Sequence, residues 1–477
     1  MKTTSNKPPK GATEGQDYFE KRSLKGGAVG WVLLISLGVS YTISGDFSGW
    51  NYGMENGGWL GLAIAWLVMG IMYACTVFGL AELSSAIPTA GAGYGFARSA
   101  MGRTAGFATG LALVIEYVCA PAAISTFIAN YVLALGIADI DPLIIVVAAY
   151  VIFIGIHVFG VGEALKLMLG ISAIAIVALV AFAVGMVPHF DANLLFDMPA
   201  NDSLGASAVL PLGLAGILGA LPYGIWFFLG VEGVPLAAEE AANPKRDMPR
   251  GLIGALAILG VTGFLSLLLA AGGAGASFIG PSDAPLVDAL NAVGQSNLAV
   301  FVNWAGLAGL IASFFSLMYA GSRQVFALSR AGYLPSFLAL TGRRKTPYVA
   351  LIASGIVGVL LVIVMKDGGL ILNIAVFGAC VSYALMNLSH IILRIRNPRM
   401  TRGYRTPGGC ITTFVGLVLS CIAIVSTFFV DVVAASCVLG IYALGMVYFM
   451  LYSKKHLVTN APEEEFAKLN EAEQELR

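Results

Sequence analysis

Apolar runs of about 20 residues, the length a helix needs to cross the hydrocarbon core of a bilayer, recur along this chain between short polar connections. Twelve can be marked, at roughly 27–50, 59–80, 104–134, 142–161, 165–187, 212–241, 250–276, 297–328, 347–365, 369–395, 412–430 and 433–453. Two of them are interrupted. The sixth passes through Trp226-Phe-Phe-Leu-Gly-Val-Glu-Gly-Val-Pro-Leu-Ala-Ala-Glu-Glu240, where Gly230, Gly233 and Pro235 weaken a helix through backbone freedom and a lost donor. Glu232 puts a carboxylate at that break. Unsatisfied backbone at membrane depth persists only where it is buried in protein or lines a cavity, so Glu232 is expected to face one. The first span ends in Tyr41-Thr-Ile-Ser-Gly-Asp-Phe-Ser-Gly-Trp50, with polar and glycine residues where a lipid-facing helix carries leucine. It is predicted to break as well.

Breaks in spans one and six, five spans apart, predict an inverted repeat of two five-helix halves whose discontinuous members meet near the bilayer midplane. The expected fold is an all-α integral membrane bundle of twelve transmembrane helices in a 5+5 arrangement, with helices 1 and 6 discontinuous and two helices appended. Its divisions would be a cytoplasmic N-terminal segment at 1–26, a first repeat at 27–188, an extracellular loop at 189–211, a second repeat at 212–396, helices 11 and 12 at 397–453, and a cytoplasmic tail at 454–477.

Composition agrees with a membrane protein. The 477 residues are 58% hydrophobic and 11% charged, against about 25% charged in soluble domains. The polar start, with Lys2, Lys7, Lys10, Lys21, Arg22 and Lys25, lacks a short apolar core and a cleavage site, so the first helix is expected to remain as an anchor. A net charge of zero conceals an asymmetry. With the N-terminus inside, every Lys and Arg except Lys366 falls on the cytoplasmic side, while the external loops carry Glu55, Asp139, Asp141, Asp191, Asp197, Asp202, Asp283, Asp288 and Asp367. Both termini are therefore predicted to be cytoplasmic, in a cell membrane. Cys75, Cys119, Cys380, Cys421 and Cys437 lie in apolar runs, Cys410 just before one, and no CxxC spacing suggests a metal. They read as reduced and structural.

Several polar residues within the spans are candidates for chemistry. An ionisable residue at a helix centre costs about 2.5–3.5 kcal/mol on insertion scales, so Glu116, beside Tyr117 in span three, must face the bundle. It serves either a proton or substrate role or a structural one, bonded to a backbone carbonyl. His157 reads as structural. Glu163 and Lys166 stand at (i, i+3), an interfacial ion pair, unless the Lys166 ammonium reaches inward to the place a sodium ion would take beside the broken first helix. That alternative predicts proton rather than sodium dependence. Ser313 and Ser316 in span eight either bond their own helix or face the site. The connection Gly91-Ala-Gly-Tyr-Gly95 follows a membrane helix rather than a strand, so it is no nucleotide loop and reads as a flexible cytoplasmic gate. The charged tail from Lys454 reads as a solvated short helix or disordered segment.

Longer motifs carry a resemblance. Ala81-Glu-Leu…Ile-Pro-Thr-Ala-Gly…Tyr…Ala-Arg98, Gly230-Val-Glu232…Ala-Glu-Glu240…Asn-Pro-Lys-Arg…Pro-Arg250, Arg323 to Pro335, and Tyr404-Arg-Thr-Pro407 resemble signatures of the amino acid, polyamine and organocation (APC) transporter superfamily, over about residues 25 to 455. Gly-Asp-Phe-Ser-Gly-Trp-Asn and Gly-Val-Glu-Gly-Val-Pro-Leu-Ala-Ala-Glu-Glu resemble its ethanolamine permease group in particular. The resemblance implies the LeuT-like fold and a site around helices 1, 3, 6, 8 and 10.

In amino-acid carriers of that superfamily a Gly-Ser-Gly break in helix 1 cradles the substrate carboxylate with backbone N–H groups. Here Ile43, Ser44 and Gly45 match it, followed by Asp46. An ionised Asp46 would repel a carboxylate about 4 Å away by roughly 4 kcal/mol at an effective dielectric near 20, about a thousandfold in affinity. A carboxylate-free ammonium compound is favoured over a zwitterion; the structural alternative is that Asp46 only caps the second half of helix 1. The resemblance makes Trp226 the aromatic gate, with Phe47, Phe227 and Phe228 enclosing an ammonium, and makes Glu232 a proton-linked or gating carboxylate, unless it is only hydrogen-bonded to helix 1. The reading that results is a secondary active transporter importing a small amino alcohol, ethanolamine, coupled to protons. The expected substrate-binding set is Ser44, Gly45, Asp46, Phe47, Glu116, Tyr117, Trp226, Phe227, Phe228, Gly230, Glu232, Ser313 and Ser316, with Glu232 and Lys166 in coupling and no metal or organic cofactor. An amino-acid or polyamine permease or exchanger is the alternative, and a non-transporting nutrient receptor stands in another class. No zinc spacing, nucleophile elbow or catalytic carboxylate pair points to an enzyme.

Overall fold

The structure, a computed structural model, describes residues 29–89, 91–136, 140–159, 161–343, 346–458, 461 and 464, with 161–169 described by backbone alone. Lys166 and Glu163 therefore lie outside the described side chains. Among the described residues the chain is helical, with no extended strand, and eleven helices are long and apolar enough to cross a membrane beside one shorter apolar helix. The principal helices are α1 Trp31–Thr42, α2 Tyr52–Ala86, α3 Arg103–Ala134, α4 Pro142–Phe159, α5 Val161–Met186, α6 Gly213–Trp226, α7 Pro244–Ala274, α8 Ser296–Arg330, α9 Tyr348–Met365, α10 Gly368–Arg396, α11 Cys410–Val430 and α12 Val432–Tyr448. They coincide with the twelve predicted spans.

Packing follows an exchange between the two halves. α1 packs on α7 and α6 on α2; α5 packs on α8 and α10 on α3; α3 and α8 meet each other at the centre. Replacing each helix by the one five places on reproduces these pairs, as an inverted repeat requires. α11 lies against α2 and α10, and α12 against α3 and α10. Burial follows position: the membrane window of α3 is 83% buried, that of α4 only 22%. In a bilayer a helix with most of its surface outward must be apolar, and α4 exposes Ile144, Val151, Ile152 and Phe159.

Both predicted breaks are present. In α1 the ladder fails at Ser44, whose N–H bonds Ser313 Oγ at 3.0 Å. A single turn, Ser44–Phe47, follows before the chain extends at Ser48 and turns left-handed at Gly49 (φ 91°). α6 stops at Trp226, turns through a left-handed Gly230 (φ 112°), and resumes as a 3-10 segment, Val231–Glu240, containing Pro235. The second span differs from expectation at its start: α2 includes a preceding helical turn, joined across a kink at Gly58 (φ 65°), where Pro211 leaves no room for a Cβ.

The glycine-rich connection is not an open loop. Gly93–Met101 is a helix packed on α3 and α10, with Tyr94, Phe96 and Arg98 buried. Tertiary burial outweighs the poor helix propensity of its glycines. The tail begins as expected with a short exposed helix, Lys454–His456, but Ala461 and Glu464 beyond it are buried and Glu464 pairs with Arg98 at 2.8 Å.

Candidate functional site

The two broken helices cross where side chains are absent. A Cβ on Gly45 would lie 2.5 Å from the Trp226 carbonyl oxygen, so glycine alone permits this approach of backbones. Thr42 donates its hydroxyl to the Leu229 carbonyl at 2.9 Å, and Trp226 donates its indole N–H to the Ser48 carbonyl at 2.9 Å. Each break thus supplies partners for the other's freed backbone.

Two carboxyls leave this crossing in different directions. Asp46, fully buried, turns toward α7, where Thr262 donates its hydroxyl to Oδ2 at 2.5 Å; Oδ1 has no hydrogen-bond partner. No capping bond from Asp46 is present, and the turn Ser44–Phe47 has no side-chain cap. A Cβ on Gly263 would stand 3.0 Å from Asp46 Oδ1 and 2.7 Å from the Phe227 ring. Phe227 thus stands beside this acid, and Trp50 packs on the Phe227 ring with 5.5 Å between ring centres.

Glu232 turns toward α2, α3 and α10. Its carboxylate accepts the Gly230 N–H at 3.1 and 3.2 Å, the Tyr73 hydroxyl at 2.5 Å and the Tyr117 hydroxyl at 3.5 Å. Tyr73 is also hydrogen-bonded to Tyr383 of α10. Glu116, the residue before Tyr117 on α3, is fully buried, and neither of its carboxyl oxygens meets an N–H or hydroxyl donor. The backbone carbonyl partner considered for Glu116 is not there.

The other expected residues distribute unevenly. Ser313 holds the α1 break, whereas Ser316 Oγ is buried without a partner. Phe47 points to α8, against Gly306 and Gly309, with its carbonyl accepting from Tyr131 at 2.9 Å. Phe228 packs at a tilt against Tyr73 and Trp66. Of the four aromatics expected to surround an ammonium, Phe227 alone lies in the Asp46 region, with Trp50 packed on its ring. His157 is structural in form, bonded to the Phe315 carbonyl at 3.0 Å and stacked on that ring. Thr262, Tyr73, Tyr383 and Trp50 were not singled out in the sequence. Only Thr262-Gly263, a polar and small pair inside an apolar run, carried any signal.

The two ends of the bundle differ. At the acidic end a cavity of about 1110 Å³ is lined by Glu55, Asp141, Asp283, Asp367, Asp431 and Lys366, with Phe127 and Tyr223 also in its wall. Phe127 packs edge-on against Trp226, 6.2 Å between ring centres, so these rings separate the cavity from the crossing. Burial, then the charge of Asp288, raises the Asp283 carboxyl above its ordinary range. Asp141, Asp367 and Asp431 spend their oxygens on helix starts, accepting from Leu143, Gly369 and Ala434 N–H groups.

The basic end is closed. Val29 pairs with the chain after α6, its N–H to the Glu240 carbonyl and its carbonyl to the Ala242 N–H. Arg323 forms an ion pair with Glu240, and Arg330 with Glu239 at 2.8 Å. Glu82 accepts from Arg394 at 2.6 Å, Arg402 at 2.8 Å and the Thr406 N–H at 2.7 Å. The four stretches singled out by resemblance therefore meet at this end, where their buried charges are paired.

Comparison with known proteins agrees with this geometry. Residues 32–467 match the family model described as amino acid permease. The chain is 28% identical to an uncharacterized transporter of Rhizobium meliloti, over 87% of this chain and 89% of that protein. It is 26% identical to the branched-chain amino acid permease BcaP of Bacillus subtilis, over 84% of this chain and 87% of that protein. It is 25% identical to the aromatic amino acid transport protein AroP of Escherichia coli, over 82% and 86%.

Proposed function

The chain belongs to the amino acid permease family of the APC superfamily, and from that premise we propose that it imports a small amino alcohol, ethanolamine, in symport with protons by alternating access. Relatives named for branched-chain and aromatic amino acids, and another named as a methylthioribose transporter, leave the substrate of this chain open. The observation that carries the proposal is Asp46. A buried carboxyl with one unoccupied oxygen sits at the helix 1 break, beside Phe227. An ammonium there would gain the Asp46 charge and the Phe227 ring. A substrate carboxylate about 4 Å from an ionised Asp46 would lose roughly 4 kcal/mol.

Ser44, Gly45, Gly230 and Ser313 shape the break, Trp226 is the lid, and Glu232 with Glu116 and Tyr117 serves coupling in this reading. The basic end is cytoplasmic, as are both termini, so the acidic cavity is the extracellular vestibule of a plasma-membrane protein. Its negative lining would concentrate cations near the gate. The ion-paired basic end and the open acidic cavity support an outward-facing form with the lid shut. The test is uptake of labelled ethanolamine into proteoliposomes under imposed proton or sodium gradients, with choline, polyamines and amino acids as competitors. Saturable uptake driven by a proton gradient and competed by amines is expected. Uptake of leucine or phenylalanine without ethanolamine would replace this reading with amino-acid transport, which the names of the relatives favour.

A further inference from the structure

We propose that the chain beyond α12 is a strap whose Glu464 docks on Arg98 and Tyr333 at the basic end and leaves that receptor each time the end opens. Its docking slows opening, so the transporter carries its own brake. The proposal rests on transport by alternating access and not on the identity of the substrate.

The receptor is drawn from distant parts of the sequence. The rings of Tyr94, Phe107, Tyr333 and Phe449 pack on one another with centres 5.0 to 6.2 Å apart. They join the Gly93–Met101 helix, α3, the turn after α8 and the end of α12. Arg98, an ionised group only 2% exposed, stands at this cluster. Its Nε donates to the two Glu464 carboxylate oxygens at 2.9 and 3.0 Å, and its Nη2 lies 2.8 Å from Oε2. The Tyr333 hydroxyl donates to Oε1 at 3.1 Å. A guanidinium that meets both oxygens of a carboxylate selects geometry as well as charge.

The path of the strap is equally defined. Ser453 donates its hydroxyl to the Tyr333 carbonyl at 2.8 Å, and the Val458 N–H donates to the Ala331 carbonyl at 3.0 Å. Between these bonds the chain crosses Gly332, left-handed at φ 85°, where a Cβ would collide with the His456 carbonyl. Glycine is needed there both for its backbone angle and for the crossing. Ala461 then enters the ring cluster.

The place of docking connects the strap to gating. Arg323 and Arg330, at the inner end of α8, hold Glu240 and Glu239 of the chain after α6. Ala331, Gly332 and Tyr333, which the strap grips, follow Arg330 directly. The strap therefore braces the helix end from which the chain after α6 must part when the basic end opens. Its contact is suited to release. A buried ion pair adds little net stability against its desolvation, and at the end of the bundle both charges regain water once separated.

Two experiments in proteoliposomes test this, on ethanolamine or, if the wild type carries it instead, on leucine. In the first, Ala331→Cys and Val458→Cys are combined in a cysteine-free background and oxidised, which ties the strap down. Uptake is expected to fall about tenfold or more and to return on reduction. Uptake equally fast in the oxidised and reduced protein overturns the proposal, because it makes the strap a fixed part of the fold.

The second weakens docking with Glu464→Gln. Turnover is expected to rise about twofold or more with nearly unchanged KM. A Ser44→Cys reporter in the cysteine-free background is expected to react about threefold faster or more with impermeant maleimide from the basic side when Glu464→Gln is added. Exchanging the charges, Arg98→Glu with Glu464→Arg, is expected to restore both toward wild type. Slower turnover and unchanged labelling in Glu464→Gln overturn the proposal and leave the ion pair a stabilising role. Transport of leucine without ethanolamine removes the amine reading alone, and the same measurements on leucine decide the strap.

Discussion

Thr262 on α7 donates its hydroxyl to Asp46 across 2.5 Å, joining the apolar middle of one helix to the unwound middle of another. Its single hydroxyl proton serves either Asp46 or its own Ile258 carbonyl 3.0 Å away, so the bond to Asp46 takes the donor that its own helix would otherwise use. If Asp46 is ionised, a charge-assisted hydrogen bond of this kind contributes about 1.5–3 kcal/mol. Thr262→Val keeps the shape and removes the donor. It is expected to weaken amine affinity about tenfold or more, with Thr262→Ser near wild type, as read from the KM of uptake.

Asp46→Asn removes the charge at nearly constant volume. If Asp46 is the counter-ion of an ammonium, a loss of about 3 kcal/mol or more follows from stranding a buried charge, over a hundredfold in affinity. Binding measured in detergent, independent of turnover, checks this. Unchanged affinity would leave Asp46 with its bond to Thr262 as a purely structural role.

Gly263 stands where Asp46 and Phe227 meet. Gly263→Ala inserts a methyl against both, and overpacking of this kind costs about 1–3 kcal/mol. The expected result is a raised KM with smaller loss of thermal stability, measured on the purified protein. Gly45→Ala is predicted to be harsher, because its methyl meets the Trp226 backbone rather than a side chain that can turn away.

Arg323 neutralises Glu240 at the closed basic end, with its guanidinium over the Tyr319 ring at 3.3 Å. Arg323→Ala leaves Glu240 buried without its charge partner, a loss of about 3–5 kcal/mol. Opening at the basic end should become more frequent. A single cysteine at Ser44 in a cysteine-free background, labelled by an impermeant maleimide from the basic side, is expected to react faster in this variant.

How much of the site was legible depended on residue type. Asp46 and Glu232 stood out because a carboxylate inside an apolar run is costly unless something receives it. Tyr73, Tyr383 and Thr262 did not, since a hydroxyl inside a helix satisfies itself on its own backbone and appears in many spans without a role. Phe47 and Trp50 lie three residues apart beside the same break, and no pattern says which faces α8 and which faces Phe227. The helix at Gly93–Met101 is not legible in the sequence because its glycines disfavour helix in isolation.

The sequence by itself determined the twelve spans, their two breaks and the segregation of charge, because the bilayer demands apolar length and internally satisfied backbone before any packing is known. Tertiary structure alone decided that the two acids part company at the crossing, one to a single threonine on α7 and the other to the Gly230 N–H and two tyrosines. The partners on α2, α3 and α7 lie far along the chain from the acid each of them binds. Only packing, which brings distant helices to one depth and one face, could assign them.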